Sequence, residues 1–286
     1  MFIRVKRRII NKRILLICLT LILTMFLTGC STVDKALIKL GFRNTNFEYM
    51  VKNKVDKIII QNSRDTGFRF IVTDDKAIND IYKILRNGKV TKKKSSLDPD
   101  YVFEVHMVGD EVKYYNYVVS VGDRSTGNFY NDDVSYSVSS NLDDTILNNL
   151  EFIRKPRNFT DIYYNSILDL LKKNKKQLSD KNNKVGINIS ADVDCLKYMF
   201  SVDLEEFKKN IKDILPNADL VSGDSSDYDT IISVSNKGYS TSLFKTVINI
   251  DDKFNKSYLT YYVKGTYEYK NWDIEISEPD VKPSNW

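Results

Sequence analysis

Tyr101-Val102-Phe103-Glu104-Val105-His106-Met107-Val108-Gly109-Asp110 is the stretch that decides the fold. Eight residues dominated by aromatic and β-branched side chains run into a Gly-Asp pair, and a second β-rich run, Val112 to Val121, follows at once. Two such runs joined by so short a turn form an antiparallel hairpin, because parallel neighbours need a crossover of about a dozen residues. Working upstream, Lys57–Gln61 and Phe68–Val72 read as strands. Asp74-Asp75 caps a helix whose Ile78, Ile81, Ile84 and Leu85 recur at helical spacing, with Gly88 at its end. Lys92–Ser96 and Asp98-Pro99-Asp100 read as a loop. Downstream, strands are expected around Phe129 and over 134–138, and a short helix from Asn141 to Ile153, stopped by Pro156.

The second half follows a similar plan. Phe159–Leu178 reads as a helix, Lys184–Ile189 and Leu196–Val202 as strands, and Leu204–Leu215 as an amphipathic helix ended by Pro216. The loop Gly223-Asp224-Ser225-Ser226-Asp227-Tyr228-Asp229 leads into four strands, near 230–235, 243–250, 258–264 and 267–276. The expected class is therefore α+β, with two modules at 55–156 and 157–286, each an antiparallel sheet packed against a helix. The matching order of elements, and the similar places of Ser95–Tyr101 and Gly223–Asp229, suggest two diverged copies of one module.

The first 29 residues carry an address. Arg4, Lys6, Arg7, Arg8, Lys12 and Arg13 precede Ile14–Leu27, fourteen residues without a charge, which is the pattern of an export signal and too short for a spanning helix. The stretch ends in Leu27-Thr28-Gly29-Cys30, which resembles the lipobox of bacterial lipoproteins. That resemblance implies removal of residues 1–29, a diacylglycerol on Cys30, and a place on the extracytoplasmic face of the cell membrane. Residues 30–54 then read as a tether that holds the modules off the lipid, a short helical or irregular spacer in which Val33–Leu40 has the makings of a helix stopped by Gly41. The heavy use of Lys, Asn, Ile, Asp and Tyr suggests a low-GC Gram-positive source, and the body resembles the small α+β surface lipoproteins of such bacteria.

The formal charge of +5 belongs to this signal. Six of the 43 basic residues lie within the first thirteen positions, and the remaining 37 are balanced by 38 acids, so nucleic acid is not an expected partner. With Cys18 in the signal and Cys30 under the lipid, Cys195 has no thiol partner and reads as a small buried hydrophobe. A single histidine, His106, sharing a strand face with Glu104, excludes the usual His-containing triads and multi-histidine zinc motifs. Asp224, Asp227 and Asp229 gather hard oxygens in one loop as a weak calcium candidate, without EF-hand spacing, and no cofactor is expected.

Tyrosine is abundant, with 18 copies clustered on strands. Strand packing accounts for most of them, but a solvent-facing row of Tyr114, Tyr117, Tyr261, Tyr267, Tyr269 and Trp272 would suit recognition of a protein or a glycan. The expected function is a non-catalytic, membrane-anchored interaction module binding an envelope protein or wall polymer. The solute-binding subunit of an importer is the alternative, and a cell-wall hydrolase stands third.

Overall fold

The computed structural model describes residues 29–51, 54–123, 125–144, 155–180, 182–222, 224–253 and 255–286. The hairpin that opened the sequence reading forms as β5 (Tyr101–Met107) and β6 (Val112–Tyr117), with Val105 opposite Lys113 and His106 opposite Val112. Gly109 and Asp110 turn the chain at positive φ, 104° and 69°, a conformation that glycine adopts without steric cost. Around the hairpin assemble β1 (Val55–Asn62), β2 (Arg69–Val72), β3 (Lys89–Thr91), β8 (Phe129–Tyr130) and β9 (Ser135–Ser137). The order is β2-β1-β5-β6-β8-β9-β3, every pairing antiparallel. A short parallel pair, β4 (Lys93–Lys94) with β7 (Thr126–Gly127), replaces part of the expected lysine loop.

One face of this sheet is dry. Ile58, Ile60, Phe103, Val105 and Tyr117 alternate into it, and α2 (Asp75–Arg86) covers it with Ile78, Ile81, Tyr82 and Leu85. The Asp74 carboxylate caps α2 by accepting from the Ala77 N–H at 2.9 Å. Phe47 and Met50 enter the same core, and Phe47 lies 4.8 Å from the Tyr136 ring and 5.7 Å from that of Tyr115. The tether expected over 30–54 is therefore corrected. Its second half is core of the first module, because an aromatic residue stabilises more inside than in a solvated spacer. Its first half is a helix, α1 (Gly29–Lys39), ended by Gly41 in agreement with the short helix expected there.

The second sheet is built from β10 (Val185–Asn188), β11 (Ala218–Leu220), β12 (Thr230–Tyr239), β13 (Leu243–Asp252), β14 (Ser257–Glu268) and β15 (Asn271–Ile276), in the order β11-β10-β12-β13-β14-β15. β10 lies parallel to both β11 and β12, whereas β12 to β15 are antiparallel. Helices α3 (Phe159–Lys173) and α6 (Ser201–Ile214) pack on one face through Ile162, Ile167, Leu171, Phe207 and Ile211. The α+β class holds, with sheets packed against helices. The duplication does not, because the two strand orders and directions differ.

Local corrections have physical causes. The helix expected over 159–178 breaks at Asn174, whose side chain donates to the Leu170 carbonyl and accepts from the Tyr261 hydroxyl, and a short α4 (Lys175–Leu178) follows. Leu196–Val202 is not a strand. Cys195 and Leu196 close a short α5 (Val193–Leu196), and Ser201 opens α6, whose N-terminal N–H is satisfied by the Asp100 carboxylate. The last expected strand is divided at Tyr269-Lys270, where two successive positive φ values, 50° and 68°, make the hairpin turn between β14 and β15. Residues 141–144 are helical, and the rest of the helix expected to Ile153 lies outside the described residues, as do Leu27 and Thr28 of the lipobox. Among the described residues no helix is long and apolar enough to cross a membrane.

Candidate ligand cleft where the modules meet

The aromatic row does not form one face. Tyr117 and Tyr261 are core residues: Tyr117 donates to the Asp143 carboxylate, and Tyr261 donates to Asn174 at 2.7 Å. Alternation turned these two inward, since a pleated strand sends every second side chain to the packed face. Tyr267 and Trp272 are half-buried against each other at 5.2 Å, while Tyr114 and Tyr269 are exposed on different modules. The calcium candidate is also corrected. The Asp224 carboxylate accepts from the Ser226 N–H within the loop and that of Asp229 from the Lys184 N–H before β10, so both are engaged with backbone. Among the described residues no three metal-ligating side chains converge. His106 Nε2 lies 3.1 Å from Glu104 on the outer face, as a pair without further ligands. Cys195 is buried, and that burial pushes its thiol far above the reactive range. Cys30 stands in the first turn of α1.

The sequence reading missed the joint. Arg64 follows β1, its N–H held by the buried Asn62 side chain at 2.9 Å. Its guanidinium donates to the Asp100 carboxylate at 2.6 Å, to the Met199 carbonyl at 3.2 Å, and to the Ser201 hydroxyl. Asp100 has no exposed surface. It accepts in addition from the backbone N–H groups of Val119 and Ser201, both at 2.8 Å. Ser201 is the first residue of α6, whose N-cap, Phe200, offers no side-chain acceptor. An aspartate of the first module thus serves the free N–H groups and positive end of a helix in the second. Ser201 closes the ring by donating its hydroxyl to the Asp98 carbonyl at 2.7 Å. Burial raises the pKa of Asp100 against the opposing pull of Arg64 and the two N–H groups. Burial likewise raises Asp203, one turn away, with the Asp100 charge adding to it.

Beside this joint opens a cleft of about 580 Å³. Its floor is apolar, from Ile189, Leu196, Met199, Leu204, Leu220 and Val221, and its polar groups include Arg64 and Asp98 of the first module with Ser190, Lys208 and Asp219 of the second. Topology creates it. From β10 the chain crosses to β11 through α6 on the core face, whereas from β11 to β12 it runs over the opposite face, where Tyr228 lies against Gly186. The two connections leave adjacent parallel strands on opposite sides, so their carboxyl ends bound a crevice, the usual ligand position in sheets of this kind. Gly186 is required there, because a Cβ would stand 2.7 Å from the Tyr228 ring. Of the two carboxylates, Asp219 is ion-paired with Lys212 at 3.0 Å. The arrangement can bury the apolar part of a ligand on the floor and hold a polar end at Lys208 or Ser190. A three-residue strand such as β11 leaves almost no sequence signal, and without it the parallel trio and its crevice are invisible.

A family model described as YhfM protein matches residues 51–156. The match spans the first sheet and α2 and includes Arg64, Asp98 and Asp100; it does not reach the cleft's floor. No curated protein and no solved structure matches the chain.

Proposed function

We propose that the chain is a lipoprotein anchored through Cys30 to the extracytoplasmic face of the cell membrane, acting as a non-catalytic binding module whose ligand or partner enters the cleft beside Arg64 and Lys208. Leu27-Thr28-Gly29-Cys30 after a charged and then apolar leader supports the anchor. The crevice at the carboxyl ends of β10 and β11, with an apolar floor and charged rim, is the observation that carries the binding reading. It moves the expected contact from a tyrosine face to a concave site, and its occupant is an amphiphilic solute or the side chains of an envelope protein. The importer reading gains from the share that both modules have in the cleft, but the buried Asp100 link opposes the lobe opening such proteins use.

The test places a photo-crosslinking side chain at Leu204 in the cleft, or at Tyr269 on the far hairpin, in intact cells. Adducts from position 204 that vanish with Lys208→Glu are expected. Equal adducts from both positions, or none from position 204, would count against the cleft. Cys30→Ser should abolish incorporation of labelled fatty acid into the protein and leave residues 1–29 uncleaved.

A further inference from the structure

α1 gives the lipid-bearing end a second membrane contact. Cys30 stands in its first turn, and Leu40 follows directly on its last residue, Lys39. Leu40 is 68% exposed and Phe42, just past the helix, 66% exposed, while Lys35 and Lys39 of the same helix are exposed too. The helix ends in a fixed turn: Gly41 takes φ +76°, its N–H donates to the Ile38 carbonyl at 3.0 Å, and the Phe42 N–H donates to that of Leu37 at 2.8 Å.

This segment is fastened to the body. Asp34 pairs with Arg43 and, at 3.1 Å, with Arg86 at the end of α2. Asn44, nearly fully buried, donates its side-chain N–H groups to the carbonyls of Leu85 and Gly88 at 2.9 and 2.7 Å. A Gly/Ser linker would let the body drift from its lipid; these contacts forbid that over residues 34–44. At 1.5 Å per residue Leu40 lies about 15 Å along the helix from Cys30.

We propose that α1 lies in the plane of the membrane interface, with Leu40 and Phe42 inserted at the boundary of headgroups and acyl chains and with Lys35 and Lys39 reaching anionic headgroups. The partner is the bilayer itself. A protein partner at Leu40 and Phe42 would have to share that 15 Å with the membrane surface holding the lipid. The inference rests on lipidation of Cys30, and it fixes the first module against the membrane by the C-terminal end of α2.

The test uses the mature lipidated chain in vesicles of phosphatidylglycerol and phosphatidylcholine. Phe42→Cys carries an environment-sensitive fluorophore, with Cys195 buried and unlabelled, and Tyr269→Cys is the distant control. Position 42 should shift to the blue and be quenched by nitroxide lipids, and position 269 should do neither. In the Cys30→Ser chain, Phe42→Asp should weaken residual binding to the same vesicles about tenfold or more. If mass spectrometry finds the lipid on Cys30 while position 42 stays as wet as position 269, the interfacial helix is overturned and the lipoprotein reading stands. If the lipid is absent from Cys30, both fall.

Discussion

The first sheet is a chain of antiparallel neighbours, whereas the second sets one strand, β10, between two parallel ones. Antiparallel strands close with turns, and the hollow that the first module does hold, between Val90–Lys94 and Asn131–Ser135, is lined mostly by polar side chains without an apolar floor. Parallel strands demand crossovers, and the two crossovers around β10 leave on opposite faces and open the cleft. Topology, more than any single residue, therefore places the concave site in the second module. The first module contributes Arg64, Asp98 and, through Asp100, the capping of α6.

The sharpest way to break the comparison is to cut that link. Asp100→Ala leaves Arg64 without its carboxylate and two N–H groups without an acceptor, a loss expected to cost about 3–5 kcal/mol. Both tryptophans, Trp272 and Trp286, lie in the second module. Fluorescence thus reports that module alone, while circular dichroism reports both. The two curves should coincide for the native chain in urea and separate in Asp100→Ala. Coincident curves in the variant would mean that the modules are joined by something other than this node.

Next in size is Gly186→Ala, which drives a Cβ to within 2.8 Å of both Tyr228 and Val221. The expected cost is about 1–3 kcal/mol in urea unfolding, with lost crosslinking from position 204, because Val221 lines the cleft. An unchanged midpoint would show that the loop over Gly186 yields freely and does not shape the crevice.

These two sites mark what the sequence could and could not reveal. The hairpin at Tyr101–Tyr117, the capped α2 and the long strands after Thr230 were legible, because alternation, an N-cap and helical periodicity are local signals. Arg64, Asp100 and Ser201 were not, since they are brought together from 36 and 101 residues apart. Nothing in an Asp-Pro-Asp loop says that its second aspartate caps a distant helix. The tyrosine row failed for a related reason: counting tyrosines does not tell which face of a strand is packed, and hydroxyls such as those of Tyr117 and Tyr163 go inward when an acceptor waits there.

Each module holds a buried tyrosine–aspartate pair, Tyr117 on Asp143 and Tyr163 on Asp192, the latter at 3.0 Å. Tyr117→Phe and Tyr163→Phe should each cost about 1–2 kcal/mol, since a partly buried carboxylate loses a donor. Similar losses are expected in the two modules, because the pairs differ in fold context and not in chemistry. A loss at one site only would show that the other carboxylate reaches solvent.

The smallest effect is on pH dependence, and it has an unusual sign. Burial raises the pKa of Asp143 and Asp192, as it does those of Asp100 and Asp203, above the ordinary value of 3.8. A carboxyl raised on folding binds its proton more readily folded than unfolded. Its contribution to stability therefore grows as the pH falls from neutral through the folded pKa, and levels off below 3.8. Asp252 opposes this. Burial pushes it up, but hydrogen bonds from Asn255, Gln177 and Thr230 bring it below 3.8, so its stabilising share is lost only as the pH falls through that lower pKa. Between pH 7 and about 4 the raised group prevails, and the melting temperature should hold or rise on acidification. The Tyr→Phe variants remove a bond that lowers the carboxyl pKa, so they should steepen the rise, while Asp143→Asn with Asp192→Asn should flatten it. A melting temperature that falls steadily from pH 7 to 5 in the native chain would mean that solvent reaches these carboxylates, and that the two Tyr–Asp pairs are surface contacts.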